Sequence, residues 1–325
     1  MKSINVCIIG TNFISDRFAE AVIESGALNL FAVYSRSLDT GKAFADKYGI
    51  KRVYDSLDKM LSDAEIDAVY VASPTFLHKE HSIAAIKAKK HVLCEKMIAV
   101  THDEFSEMRA LAKENGVVLL EAMRPDFDGS FDLIREALPK IGKIRRVSFD
   151  YCQYSSRYDK FKAGTVLNAF DPKMKNSALA DIGIYPLHTC VLLFGEPKSV
   201  SSDSLFLENG FEGAGSVRLL YDGMIALINY SKIADNFSPS VIEGECGSIV
   251  IDTFNPPNKI TVKLRSGEEY DLPYVKVKNN MIYEARAFAD MVNGTRSEEP
   301  YLDVSDVTLR LVDKIYESSG ITKSF

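Results

Sequence analysis

The feature that most constrains the fold is the rhythm of the first 121 residues. Short, apolar, β-branched runs at 4–10, 30–34, 68–72, 91–94 and 117–120 alternate with longer stretches of helical spacing at 17–24 and near 40–48, 79–89 and 103–114. Strands that are apolar throughout, and that are separated by helices, pair in parallel and are covered on both faces. This part of the chain is therefore expected to be α/β, with a doubly wound parallel sheet.

After Glu121 the rhythm changes. Segments 144–154, 216–220, 224–231, 248–252 and 259–264 read as antiparallel strands, with Asp222-Gly223 as a hairpin turn between two of them. A helix over 185–194 interrupts them, and two more near 280–293 and 303–318 close the chain. The second half reads as α+β around an open, mostly antiparallel sheet. A chain of 325 residues exceeds what one hydrophobic core usually serves, so residues 1–121 and 122–325 are expected to form two domains. With no repeat of 20–50 residues and no low-complexity linker, they are expected to join tightly.

Charge and cysteine usage exclude several classes. The formal net charge is -6, and the lysines and arginines are scattered among acids, so no basic field exists to attract nucleic acid. Hydrophobic residues at 46% and charged residues at 26% suit a globular chain. Cys7, Cys94, Cys152, Cys190 and Cys246 form no CxxC pair and read as buried thiols of a reducing compartment. The apolar start at 1–10 is broken by Asn5 and is too short for a secretory segment or a membrane span. The expectation is a cytoplasmic protein without a membrane association. His78 and His81, three apart, have no evident third ligand, and no metal site is expected.

The segment Ile8-Ile9-Gly10-Thr11-Asn12-Phe13-Ile14-Ser15 lies where a dinucleotide-binding turn belongs, after the first strand and at the start of the first helix. A full G-x-G-x-x-G would place glycine at 10, 12 and 15, whereas this chain has Gly10, Asn12 and Ser15. Asparagine tolerates a left-handed backbone and serine is small, so the turn is retained with a looser approach for a pyrophosphate. The second strand ends in Ser35-Arg36-Ser37. Two hydroxyls and a guanidinium suit a ribose 2′-phosphate, which favours NADP(H), and Asp39 leaves NAD(H) as the alternative.

Further motifs follow in order: Ala72-Ser73-Pro74-Thr75-Phe76-Leu77-His78 after the fourth strand, and Cys94-Glu95-Lys96-Met97 after the fifth. Leu120-Glu121-Ala122-Met123-Arg124 then marks the crossover, and Asp181-Ile182-Gly183-Ile184-Tyr185-Pro186-Leu187-His188 comes in the second half. With the degenerate turn at Gly10, these segments and their spacings resemble the Gfo/Idh/MocA family nearly end to end. The resemblance implies a Rossmann domain followed by an open-sheet domain that covers the nicotinamide. It also implies that residues 10–14, 35–37, 72–74, Leu77, His78, Glu95 and Lys96 contact the cofactor.

Lys96 matches the lysine of the family's E-K-P segment, which touches the nicotinamide ribose and the reacting oxygen; Met97 stands where proline is usual. Asp181, Tyr185 and His188 are spaced i, i+4 and i+7, on one face if the helix already runs through Asp181. Pro186 is acceptable there only within a first turn. Tyrosine at position 185 resembles the branch of glucose-fructose oxidoreductase and dihydrodiol dehydrogenase, in which a phenol is the acid/base. By this resemblance Tyr185 exchanges the proton, with Lys96 as the cation a phenol needs near neutral pH.

Three residues keep more than one reading. Asp181 orients Tyr185, accepts a substrate hydroxyl or caps a helix. His188 contacts substrate or is a satisfied helix histidine. Arg124 binds a substrate hydroxyl or carboxylate, or pairs with Asp126 or Asp128. The expected activity is reversible hydride transfer to or from a CH–OH carbon of a small polyhydroxylated molecule, a sugar, cyclitol or diol. The rivals are a non-catalytic NADP(H) sensor and a Rossmann enzyme using another nucleoside cofactor. An apolar strand such as 224–230 on an exposed sheet face predicts a homodimer or homotetramer through that sheet.

Overall fold

Residues Val6, Cys7, Ile8 and Ile9 are buried to within 1% and end the first strand, β1 (Asn5–Ile9). The computed structural model describes residues 3–320, and α1 (Phe13–Ser25) follows β1 directly. The alternation continues through β2 (Asn29–Tyr34), α2 (Leu38–Tyr48), β3 (Arg52–Tyr54), α3 (Leu57–Leu61) and β4 (Ala68–Val71). It ends with α4 (His78–Lys87), β5 (His91–Glu95), α5 (His102–Asn115) and β6 (Leu119–Ala122).

The six strands pair in parallel in the order β3-β2-β1-β4-β5-β6. The order reverses between β1 and β4, which opens a crevice at the carboxyl ends of the strands. All four residues of β4 are buried, as expected of strands covered on both faces.

The second sheet starts after α6 (Gly129–Ala137) with β7 (Ile144–Cys152), followed by α7 (Tyr158–Lys162) and α8 (Ile184–Phe194). Strands β8 (Ser199–Phe206), β9 (Glu212–Tyr221), β10 (Met224–Ser231) and β11 (Ser240–Gly244) come next. The sheet is completed by β12 (Gly247–Ile251), β13 (Ile260–Leu264) and β14 (Glu269–Asp271). Its order is β14-β13-β12-β11-β7-β10-β9-β8, antiparallel except where β10 runs parallel to β7.

Gly223, at φ 73°, turns the hairpin between Tyr221 and Met224 as Asp222-Gly223 predicts. Along β10, Met224, Ala226, Ile228 and Tyr230 are buried, the period-two signature of a sheet with one covered face. The ring of Tyr230 fits between two glycines. A Cβ on Gly183 would come within 2.7 Å of it, and one on Gly215 within 2.3 Å of its hydroxyl.

The chain divides into two units, and the division departs from the expected break. Unit one takes residues up to Phe127 and adds Lys278–Asp303, whereas unit two holds Asp128–Val277 and the chain from Val304. Helix α9 (Met281–Val292) belongs with the first sheet because it packs on α1. Asn279 just before it donates to Arg17 O at 2.7 Å and accepts from the Arg17 guanidinium. The first turn of α10 (Glu299–Ser319) is tied there too, through Glu299 and Asp303 to Arg109. Nothing in the local pattern of these helices indicates which sheet they cover.

Cys7, Cys94 and Cys190 are buried thiols, Cys152 is half-buried, and Cys246 is exposed against expectation, in the tight connection between β11 and β12. Among the described residues no helix is long and apolar enough to cross a membrane. Met1 and Lys2, the start of the apolar segment at 1–10, lie outside the described residues.

The loops after β4 and β5 are locked together by His78, whose ring is 1% exposed. Its Nδ1 lies 2.7 Å from Met97 O and its Nε2 2.9 Å from Ser73 O. Burial pushes its pKa down to about 4 despite these carbonyls. Between about pH 6.5, where the unfolded chain takes up the proton, and about pH 4, the unfolded state binds more protons. The contribution of His78 is therefore complete above that window and is lost as the pH falls through it. Chemical denaturation as a function of pH should show wild type losing about 2–3 kcal/mol more than His78→Gln over this window; parallel profiles would exclude a neutral buried ring.

Candidate active site

The carboxyl edge of the first sheet gathers the residues expected to hold a dinucleotide. Gly10 has φ 112°, and a Cβ there would stand 2.8 Å from Ala72 O; only glycine suits that backbone and that approach. Gly10 N donates to Tyr34 O at 3.0 Å, so the turn is fastened to the end of β2 as well as to the end of β4. Thr11 and Ile14 are half-buried and Phe13 is 69% exposed.

Asn12 makes no use of the left-handed conformation that asparagine tolerates. It is extended (φ -90°, ψ 179°) and caps α1, its Oδ1 accepting from Ile14 N at 3.0 Å and Ser15 N at 3.2 Å. Its Nδ2 donates to Ala72 O at 2.8 Å. A capping side chain thus replaces the second glycine, and the fully buried Ser15 fills the close-packed place of the third.

At the end of β2, Ser35 is buried, hydrogen-bonded to Thr40 Oγ1 at 2.7 Å, and its Oγ accepts from Ser37 N. Ser37 caps α2. Arg36 between them is exposed, and Asp39 sits in the first turn of α2. After β4, Ala72 is buried, Ser73 half-buried and Pro74 exposed, and Leu77 N closes a turn on Pro74 O at 2.8 Å. His78 is buried as a brace between loops. His81, the other histidine of the considered metal pair, is bonded to Ser73 Oγ at 3.0 Å.

Lys96 follows the last residue of β5 and is half-buried. The peptide bond from Lys96 to Met97 is cis. Met97, in the usual proline place, is buried, and its carbonyl meets His78. Ile98 N donates to Glu121 Oε1 at 2.9 Å, so the segment carrying Lys96 is held from both sides without proline. Glu95 is turned inward, accepting from the Tyr70 hydroxyl and from Lys96 N. Burial pushes its carboxyl up, while the Tyr70 hydrogen bond and the charges of Lys96 and Arg124 pull it back.

Arg124 is half-buried in a 3₁₀ turn after β6, and its charge also acts on Glu284 of α9. Glu284 is fully buried, with no hydrogen-bond partner for either oxygen among the described residues, and burial holds it well above the usual carboxylate range. Sequence reasoning missed Glu284 and Tyr70, because a lone acid in an amphipathic helix carries no mark of burial.

In unit two the helical turn carrying Asp181 is a π-turn, Leu179–Gly183, leading into α8. The turn accommodates Pro186, which falls in the first turn of α8 and has no N–H to offer the preceding carbonyls. The cap is Ser177, whose Oγ accepts from Ala180 N at 3.0 Å, so Asp181 lies inside the helix and does not cap it. Glu212 accepts from Leu179 N at 2.9 Å, and its carboxyl is pushed up to about 7 by burial.

Tyr185 is 5% exposed, with the Tyr151 ring edge-on at 5.9 Å. His188 is fully buried and bonded to Thr308 Oγ1 of α10 at 3.3 Å. Three residues beyond Tyr185 on α8, it sits in the core, the setting of a satisfied helix histidine. The structure also supplies a partner that sequence reasoning missed: the buried Lys232 Nζ lies 2.8 Å from Asp181 Oδ2.

Gly10, the α1 N-terminus at the β1/β4 switch and the exposed Arg36 fit a dinucleotide with its phosphates at the helix end and its adenosine ribose at the end of β2. A cavity of about 580 Å³ lined by His91, Arg109, Lys113 and Arg296 lies at the amino ends of β5 and β6, away from these residues.

The family model described as "Oxidoreductase family, NAD-binding Rossmann fold" matches residues 4–123, and the GFO/IDH/MocA C-terminal domain matches residues 134–250. The scyllo-inositol 2-dehydrogenase (NADP(+)) IolU of Bacillus subtilis is 42% identical over 320 residues, 98% of each chain. The trans-1,2-dihydrobenzene-1,2-diol dehydrogenase of Mus musculus is 25% identical over 97% of this chain and 96% of its own. Among solved structures, the 3-ketoreductase KijD10 of Actinomadura kijaniata with NADP and TDP-benzene superposes with a TM-score of 0.88 at 22% identity, covering 98% of both chains. With both domain models matched in order and a full-length relative above 40% identity, the chain belongs to the Gfo/Idh/MocA family of oxidoreductases with an NAD-binding Rossmann fold.

Proposed function

We propose that the chain catalyses reversible hydride transfer between C4 of NADP(H) and a carbinol or carbonyl carbon of a small polyhydroxylated substrate, with a cyclitol such as scyllo-inositol as the leading candidate. The observation that carries this reading is a phenol one helical turn beyond a carboxylate, Asp181 and Tyr185, in a chain 42% identical to an NADP(+)-dependent inositol dehydrogenase. When bound, the nicotinamide gives or takes the hydride. The chain's own residues hold the substrate and move the proton: Tyr185 exchanges the hydroxyl proton, Lys96 polarises that oxygen, and Asp181 accepts a neighbouring hydroxyl. Arg124 is proposed as a further substrate contact. Arg36, flanked by Ser35 and Ser37, takes the 2′-phosphate, and Asp39 keeps NAD(H) usable.

We further propose a homodimer or homotetramer through the open face of the second sheet. Ile225 and Leu220, paired across β10 and β9, leave 40% and 39% of their surface exposed there, an apolar pair that an interface would cover. A reducing cytoplasm suits the unpaired cysteines.

Steady-state oxidation of scyllo-inositol with NADP+ should fall roughly 10²- to 10⁴-fold in kcat for Tyr185→Phe, the range for a positioned acid/base, with NADPH fluorescence titration unchanged. Full turnover in this variant would remove Tyr185 from the chemistry. Wild type that binds NADPH yet turns over no polyol would instead be a sensor. Arg36→Ala should weaken NADP+ about 10- to 100-fold, the loss of a charge-assisted contact, and leave NAD+ nearly untouched; equal losses for both would refute the assignment. Light scattering should show Ile225→Lys at a lower mass than wild type, whereas a wild-type monomer would end the assembly proposal.

A further inference from the structure

Lys232, just past the end of β10, is 4% exposed. Burying an ammonium costs several kcal/mol unless it is paired, and this one is surrounded by acceptors. Its Nζ lies 2.8 Å from Asp181 Oδ2 and donates to Ala169 O at 2.8 Å. The faces of Phe170 and Phe211 lie 4.9 and 5.2 Å away.

The two side chains of the pair differ sharply in access, 5% for Lys232 against 37% for Asp181. A substrate that reaches this pair meets the carboxylate, and the ammonium acts only through it. We propose that Lys232 is a positioning residue of the substrate site: its buried ammonium fixes the Asp181 carboxylate, ionised and in one rotamer, as the acceptor for a hydroxyl of a polyol substrate. The proposal rests on the reading of Asp181 and Tyr185 given above.

The alternative is that Lys232 only staples the 168–170 turn to β10 through Ala169. A staple would change stability and leave substrate affinity alone. The assay is scyllo-inositol oxidation with NADP+. Lys232→Met should raise the KM for scyllo-inositol at least tenfold, with kcat changed less than threefold and the KM for NADP+ unchanged. Asp181→Asn should do the same. The double variant should be no more than threefold worse than either single, because both remove one interaction. An unchanged KM in Lys232→Met, or losses that multiply in the double variant, would overturn the proposal.

A readout independent of turnover is an aspartate-selective ¹³C titration, with Asp181 identified as the carboxyl resonance missing from Asp181→Asn. In Lys232→Met that carboxyl should bind its proton at least tenfold more tightly than in wild type, and an unmoved titration would overturn the proposal. On the strands packed against this turn, the aspartate label keeps Glu212 of β9, Tyr230 of β10 and Tyr151 of β7 out of the spectrum, and Asp150 of β7, which does carry the label, is told apart from Asp181 because its resonance persists in Asp181→Asn. Should Lys232→Met fail to fold, Lys232→Gln, which keeps a donor for Ala169 O, serves both arms. Full turnover in Tyr185→Phe would sink the functional reading while the titration still decides on Lys232.

Discussion

Gly10 and Ala72 O are in contact across the top of the first sheet, and the architecture of unit one follows from that closeness. The turn after β1 must pass over the end of β4 with nothing between backbone and backbone, and a single β-carbon there would break the approach. Once the turn is seated, Asn12 bonds the same carbonyl and caps α1. The helix then starts at the point where the strand order reverses, so its amino end faces the crevice. The loops after β4 and β5 are aligned beside it by the buried imidazole of His78, and that alignment presents Lys96 on a segment whose Met97 carbonyl meets His78 and whose Ile98 N–H donates to Glu121.

Unit two solves a different problem, bringing a carboxylate and a phenol onto one turn next to a proline. A regular α-helix would need the N–H that Pro186 lacks. The π-turn over Leu179–Gly183, capped by Ser177 and steadied by Glu212, removes the conflict before the proline is reached. The Tyr230 ring lies under Gly183 and confines the turn from below. The proposed functional groups and the local irregularity coincide here, because the irregularity sets where Asp181 and Tyr185 project.

What could be read in advance followed burial on both faces of a strand. β1, β2, β4, β5, β6 and β10 were visible because each carries a run of apolar residues. β3, β8, β11 and β14 were not. β8 reads Ser-Val-Ser-Ser-Asp-Ser-Leu-Phe and lies at a sheet edge, largely exposed, where no apolar run is needed; β3 is an edge strand of three residues with no room for a pattern. The assignment of α9 to the first sheet depends on Asn279 meeting Arg17, a pairing 262 residues apart that no local signal encodes. Among site residues, chemistry-bearing types at strand ends were legible. His188 kept two readings because helical spacing gives a face and not which face is covered, and Lys232 was invisible because its partner lies 51 positions away.

The cap on α1 has a thermodynamic side. Two of the backbone amides that a helix end would offer an incoming anion, those of Ile14 and Ser15, are already satisfied by the Asn12 carboxamide. The protein thus carries a resident neutral surrogate at the positive end of its first helix, and a diphosphate arriving there must displace that surrogate or bind around it. The electrostatic gain at this point is smaller than in a turn built from three glycines, and the proposed contact of Arg36 with the far ribose would carry a correspondingly larger share of the binding.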